Sequence, residues 1–163
     1  MKLQVYENAE LLSKSVADWF IQTIHNTLQT QPRCCIVLAG GNTPKQLYAL
    51  LAQPVYQSQI DWSKIHVFWG DERFVPFHDE RNNAKMTFDT LLNKVPISKN
   101  QIHIMQTENI SAQQSAANYE ALLHSYFPDN NFKTFDLLLL GMGEDGHALS
   151  LFPGKTEVIF EKN

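Results

Sequence analysis

A chain of 163 residues with 44% hydrophobic and 18% charged side chains suits one soluble globular domain with a sizeable core. A formal net charge of −4 argues against a broad nucleic-acid surface, and no apolar run approaches the ~20 residues needed to span a membrane. The N-terminus lacks a signal-peptide pattern, and the adjacent Cys34 and Cys35 read as buried free thiols of a reducing cytoplasm, because a disulfide between neighbours would be strained.

Leu3 to Tyr6 reads as a short strand. Leu11, Leu12, Val16, Trp19, Phe20 and Ile24 recur at helical spacing, with Asn8 placed to cap that helix. Cys34 to Ala39 is a second, buried strand, ended by Gly40 and Gly41. Thr43-Pro44-Lys45-Gln46 then starts a helix: Thr43 caps it, Pro44 fits its first turn, and Gln46 completes a capping box. Leu47, Leu50 and Leu51 supply the buried face.

Ile65 to Trp69 is a third strand, followed by Gly70-Asp71-Glu72-Arg73. Asn82 or Asn83 opens a helix through Met86, Leu91 and Leu92 that stops before Pro96. Ile102 to Met105 predicts a fourth strand. Ser111-Ala112-Gln113-Gln114 is another capping box, opening a helix through Tyr119, Leu122, Leu123 and Phe127. The run Leu137 to Leu140 reads as a strand buried on both faces. Alternating strands and helices indicate an α/β domain with a parallel sheet. The second Asp-Glu-Arg, Asp79 to Arg81, has no strand before it and reads as a solvated loop. Val158 to Phe160 resembles the start of an element more than an end, which predicts a fragment.

Three strands run into loops that carry chemistry, at the carboxyl ends where open α/β sheets place their sites. In Ala39-Gly40-Gly41-Asn42-Thr43-Pro44, glycines let a ligand approach the backbone, and the following helix start suits a phosphate or carboxylate. The plain alternative is a tight turn before a well-capped helix. The spacing and the Lys-Ser/Thr pair of a Walker loop are missing. In Gly70 to Pro76, Asp71 sits at a strand end and Arg73 offers a fork of donors for phosphate; alternatively Arg73 merely pairs with Asp71 or Glu72.

The third loop holds Gly141, Gly143 and Gly146 in G-x-G-x-x-G spacing. Glu144 and Asp145 would repel a pyrophosphate, Pro153-Gly154 leaves room for only a very short helix, and this is not the first βα unit. His147, two residues after Asp145, fits an oriented general base better. His25, His66, His78, His103 and His124 form no pair at metal-ligand spacing, so no metal is expected. A Gly-x-Ser-x-Gly elbow is also missing, which argues against a serine hydrolase.

Asp136 through Gly154, Trp69 through Pro76 with the downstream Asn83, and less specifically the glycine loop, together resemble the 6-phosphogluconolactonase family. That family shares its fold with glucosamine-6-phosphate deaminases. The resemblance implies a Rossmann-like parallel sheet with helices on both faces, of the NagB/RpiA/CoA-transferase type. It covers essentially all of residues 1–163 and implies a single α/β phosphosugar-binding hydrolase domain. Members continue past this C-terminus with further sheet, helix and a basic residue, so the chain is expected to lack that portion. Deaminases place a tyrosine where Arg73 stands and a catalytic glutamate five residues past the loop histidine, where Phe152 stands. Departures from the lactonase pattern are Ala39 and Asn42, where serine is common, and Ala148-Leu149 in place of Thr-Ala.

The implied reaction is hydrolysis of 6-phospho-D-glucono-1,5-lactone to 6-phosphogluconate in the oxidative pentose phosphate pathway. It needs no metal or cofactor, and its only partner is a small-molecule phosphosugar lactone, with neither nucleic acid nor membrane. No oligomeric state is implied. Gly40, Gly41, Asn42, Thr43, Arg73, Asn83 and Gly143 would hold substrate, His147 would act as general base, and Asp71 or Asp145 would steady its imidazolium. The alternatives are a hexosamine-phosphate deaminase or isomerase, and a non-catalytic sugar-phosphate-binding fragment.

Overall fold

The Asn8 carboxamide accepts the Leu11 N–H at 2.9 Å and opens α1, Ala9–Leu28. A computed structural model describes residues 3–128 and 135–155 of the chain. Along α1, Ser13, Ala17, Phe20, Ile21 and Ile24 form the buried face, while Leu11 and Trp19 remain exposed. Then follow β1, Cys34–Leu38, and α2, Asn42–Leu51. The short α3, Pro54–Gln57, leads to β2, Ile65–Trp69. Next, α4, Asn83–Thr87, runs on into a π-helical turn over Phe88–Leu92. Last come α5, Ala112–Tyr126, and β3, Leu137–Leu138.

All three strands are parallel, in the order β2-β1-β3. Cys34 lies opposite Ile65, Leu38 opposite Trp69, and Ile36 opposite Leu137. Strand alternation divides the core into two layers. Cys34, Ile36 and Leu38 pack with Ile65, Val67 and Trp69 against α1, α2 and α4. Cys35, Val37 and Phe68 face Tyr119, Leu122 and Leu123 of α5. The two thiols therefore point into different layers, and burial pushes Cys34 up to about 12 and Cys35 to about 11. At the rim of the second layer the His66 and His103 rings stack, with Nδ1 of one 3.3 Å from Nε2 of the other, and the Tyr126 hydroxyl lies 3.2 Å from His66 Nδ1.

β3 is held to β1 by more than its short ladder. The Asp136 carboxylate accepts the Cys35 N–H at 2.8 Å and the Gln31 amide at 3.0 Å, and the Asp136 N–H donates to the Cys35 carbonyl at 2.9 Å. From β1 the chain crosses to β2 on one side, then returns to β3 on the other. Strand order thus reverses at β1, and the crevice beyond the carboxyl ends of β1 and β3 is the switch point where such sheets bind ligands.

Several local expectations need correction. Leu3 to Tyr6 forms no strand: Leu3 and Val5 are over four-fifths exposed, and no described strand pairs with them. Ile102 to Met105 yields a single parallel bridge between Ile102 and Val67. Beyond it the Tyr119 hydroxyl occupies the N–H and the carbonyl of Trp69, at 3.0 and 3.1 Å, so a side chain takes the place of the next ladder bonds. Helix α2 starts before Thr43, with Gly41 as its cap at φ 106° and no side-chain cap bond. Glycine at positive φ lets the chain turn directly into the helix, which leaves Thr43 inside its first turn. The leucine run is buried on one side only: Leu137 is buried, whereas Leu138 on the outer strand of the described sheet and Leu140 just beyond it are exposed. Gln114 bonds Asn118 instead of closing its capping box, although Ser111 does cap the Gln114 N–H at 3.1 Å. Val158 to Phe160 lies outside the described residues. Among the described residues no helix is long and apolar enough to cross a membrane.

Candidate active site

Two tyrosines fix the strand ends from which the site is built. The buried Tyr48 hydroxyl of α2 accepts the Ala39 N–H at 2.9 Å and donates to the Ala39 carbonyl at 2.8 Å. From the opposite layer, the Tyr119 hydroxyl of α5 does the same for Trp69, at 3.0 and 3.1 Å. Each phenol satisfies both backbone groups of a residue where the ladder ends, which buried peptide groups require.

Beyond those ends, the loops meet around a cavity of about 170 Å³ lined by Gly40, Gly41, Asp71, Arg73, Asn83, Gly143, His147 and Leu149, among others. The fold thus gathers residues from all three strand ends, as the sequence motifs imply. Asn42 and Thr43 face a neighbouring cleft of about 1100 Å³ between α1, the glycine loop and Leu138 to Met142. They share Gly40 and Gly41 with the smaller cavity, and no side chain caps the α2 N-terminus, so its N–H groups stay available to an anion.

His147 is held on three sides. Its Nδ1 lies 2.5 Å from Asp145 Oδ1, which also accepts the His147 N–H at 3.2 Å. The His147 carbonyl accepts the Gly143 N–H at 2.8 Å, closing the loop on itself. The Phe152 ring packs at 4.6 Å between centroids, tilted by 31°. The side-chain hydrogen bond from His147 keeps the Asp145 carboxyl below its ordinary range. Nδ1 is thereby engaged, and Nε2 has no described partner. Gly143 is required for space: a Cβ there would overlap the His147 ring and lie 2.8 Å from Asp145 Oδ1.

Asp71 does not bond His147; its Oδ2 accepts the Ser150 hydroxyl at 2.7 Å and so ties the second loop to the third. Of the two carboxylates considered for the imidazole, Asp145 is the one in contact. Arg73 is exposed and forms no ion pair among the described residues, so its fork is not committed to Asp71 or Glu72. The second Asp-Glu-Arg behaves as a solvated loop, with Arg81 pairing Asp79 at 2.7 Å. Asn83 donates from Nδ2 to the Asp71 carbonyl at 3.2 Å, and its carboxamide occupies the place a Cβ on Gly40 would need.

Sequence reasoning missed four supports: Tyr48, Glu72, Leu149 and Ser150. Leu149 adopts φ 55°, and a Cβ on Gly70 would fall 2.7 Å from its Cδ2, so this leucine packs into the space above that glycine. Among the described residues no three His, Cys, Asp or Glu side chains converge as a metal site would require.

Residues 7–163 match the family of glucosamine-6-phosphate isomerases and 6-phosphogluconolactonases. The chain belongs to that family. A 6-phosphogluconolactonase of Synechocystis sp. is 38% identical over 154 residues, covering 93% of this chain and 62% of the relative. The structure of 6-phosphogluconolactonase from Trypanosoma brucei superposes with a TM-score of 0.80 at 29% identity, over 93% of this chain and 63% of that one. A monomeric glucosamine-6-phosphate deaminase, at 22% identity and a TM-score of 0.76 over 91% of this chain and 58% of that one, shares the fold. The chain spans about half to two-thirds of the length of the curated family relatives it matches.

Proposed function

We propose that the chain hydrolyses 6-phospho-D-glucono-1,5-lactone to 6-phosphogluconate as a cytoplasmic, cofactor-independent lactonase, with residues 1–163 acting as one phosphosugar-binding unit. The observation that carries this reading is the His147–Asp145 pair, whose free Nε2 shares a cavity with a glycine loop and an uncommitted arginine. The N–H groups at the start of α2, with Gly40, Gly41, Asn42, Thr43 and Arg73, hold the phosphate and so fix the ring against the histidine. Asn83 and Gly143 shape the floor.

Unprotonated His147 takes a proton through Nε2 from a water that attacks the lactone carbonyl carbon. The carbonyl oxygen becomes an oxyanion. As the tetrahedral centre collapses, the bond from that carbon to the ring oxygen breaks, and the imidazolium returns its proton to that oxygen. The products are the open-chain hydroxyl and the carboxylic acid. Asp145 orients the ring through Nδ1 and steadies its positive charge; Asp71 supports the geometry through Ser150. Such a base step contributes roughly 100- to 10,000-fold in rate. A lactone is an activated ester, so the step requires no covalent nucleophile. Phe152 supports this reading over a deaminase, because an apolar ring packed on the imidazole cannot pass protons during sugar ring opening.

The test is formation of 6-phosphogluconate from the lactone, measured against spontaneous hydrolysis. Wild type should exceed that background and His147→Ala should fall to it. Full activity in His147→Ala would overturn the assignment. Ammonia release from glucosamine 6-phosphate would establish the deaminase alternative, and tight phosphosugar binding without turnover would establish a binding module.

A further inference from the structure

We propose that Glu72 is a positioning residue, whose carboxylate sets the phosphate-side Arg73 and the floor residue Asn83 relative to the glycine loop. This rests on the phosphosugar reading of the cavity. Glu72 does not line that cavity; it lies behind it, half-buried in the wall between the β2 loop and α5. Its Oε1 accepts two N–H groups, from Arg73 at 2.7 Å and from Asn83 at 2.7 Å, while Oε2 accepts the Ala84 N–H at 2.8 Å.

Those three donors come from two segments that are otherwise joined by longer side-chain bonds, Asn83 Nδ2 to the Asp71 carbonyl at 3.2 Å and Trp69 Nε1 to Thr87 Oγ1 at 3.4 Å. One is the turn that presents Arg73, and the others are the first two N–H groups of α4, unsatisfied within the helix itself. The carboxylate therefore makes the shortest of the bonds that join the β2 loop to the helix start, while also holding the Arg73 turn. The consequence reaches the cavity through Asn83, whose side chain spans from the Asp71 carbonyl to the bare Cα of Gly40. If the start of α4 shifts, Asn83 leaves Gly40, and the floor of the glycine loop shifts with it. Burial holds the Glu72 carboxyl above its ordinary range, outweighing the three N–H donors that lower it.

A glutamate that only capped a helix would affect stability and nothing else. The discriminating experiment measures 6-phosphogluconate binding by calorimetry on the full chain, at a temperature where circular dichroism shows every variant folded. Amide and carboxamide NMR signals of Gly40 and Asn83 are recorded in parallel, without ligand. Glu72→Ala should weaken binding roughly 10- to 100-fold and move both signals. Glu72→Asp keeps the charge but falls short of α4, and should behave likewise; it carries the test if the alanine variant does not fold. Glu72→Gln retains an oxygen for Arg73 and Asn83 and should recover affinity to within about threefold of wild type. Ser111→Ala, which removes the cap of α5 and does not touch the cavity lining, should lower stability while leaving affinity and both signals in place. The proposal is overturned if Glu72→Asp and Glu72→Ala bind as wild type with the Gly40 and Asn83 signals unmoved. If wild type itself fails to bind 6-phosphogluconate, the lactonase reading falls, and the two signals alone decide the role of Glu72.

Discussion

Gly143→Ala should uncouple catalysis from stability. A methyl group there overlaps Cε1 and Nδ1 of His147 and approaches Asp145 Oδ1 to 2.8 Å. The backbone cannot yield easily, since the Gly143 N–H bonds the His147 carbonyl at 2.8 Å and the Gly146 N–H bonds the Gly143 carbonyl at 2.9 Å. The imidazole must give way instead, by about 1 Å, to restore van der Waals separation. A displacement of that size costs roughly 100-fold in rate, equivalent to about 2.7 kcal/mol on the barrier. Because the phosphate-holding glycine loop and Arg73 are untouched, the loss should fall mainly on kcat, with a smaller rise in KM from the altered floor. The unfolding free energy should change by no more than about 1 kcal/mol, since the loop is largely exposed. Initial rates of lactone opening, corrected for spontaneous hydrolysis, measure the first quantity and urea unfolding the second. In an NMR titration the Asp145 carboxyl, now depressed by its bond to His147, should move up toward its ordinary value. A variant that turns over at the wild-type rate with Asp145 unmoved would refute the idea that this loop sets the imidazole.

Tyr48→Phe leaves both backbone groups of buried Ala39 without partners, which should cost about 1–3 kcal/mol in urea unfolding and weaken phosphosugar binding through the adjoining glycine loop. Asp136→Ala strands the N–H of Cys35, a residue 2% exposed, and should destabilise by about 1–3 kcal/mol; the loss should appear as a lower denaturation midpoint at unchanged slope. Stability should also fall on acidification. Burial lowers both rim histidines, His103 to about 4, with the His66 charge second and Arg33 third for His103, and Arg33 second for His66. A depressed histidine means that the folded chain binds fewer protons than the unfolded one, so the contribution is complete above the ordinary value of 6.5 and is lost as pH falls toward 4. Glu72, raised by burial, acts in the opposite sense over its own range. Urea midpoints between pH 7 and pH 5 should decline, and His103→Phe, whose ring can still pack on Phe68, should flatten the decline. An equally steep decline in that variant would assign the effect elsewhere.

Strands β1 and β2 are legible because Cys34 to Leu38 and Ile65 to Trp69 are largely apolar runs soon followed by glycine, a pattern that needs no knowledge of neighbours. Leu3 to Tyr6 and Ile102 to Met105 alternate apolar and polar residues without a closing glycine, and strand formation there depends on a partner with free ladder groups. For Ile102 to Met105, the Tyr119 hydroxyl takes those of Trp69. The start of α2 was misplaced because a threonine cap and a glycine turn compete, and only the φ of Gly41 decides between them. Within the site, His147 and Asp145 are two residues apart, so their pairing follows from the loop itself. Ser150 reaches Asp71 across 79 positions, and Glu72 reaches α4 across 11 and 12. Nothing in either segment alone marks such a contact, because it exists only once the strand ends are brought level.

Cys34 and Cys35 give this sheet two independent reporters at neighbouring positions. A thiol reagent attacks the thiolate, and neither side chain can present one while buried. Cys34 becomes reactive only when the layer containing α1 and α2 parts from the sheet, and Cys35 only when α5 does. Labelling rates of the two single-cysteine variants, followed through increasing urea, therefore measure separately how often each side of the sheet opens. Equal opening free energies would mean that the two layers unfold as one cooperative unit. A lower value at Cys35 would make the α5 side a distinct, weaker folding unit, although it shares every strand with its neighbour.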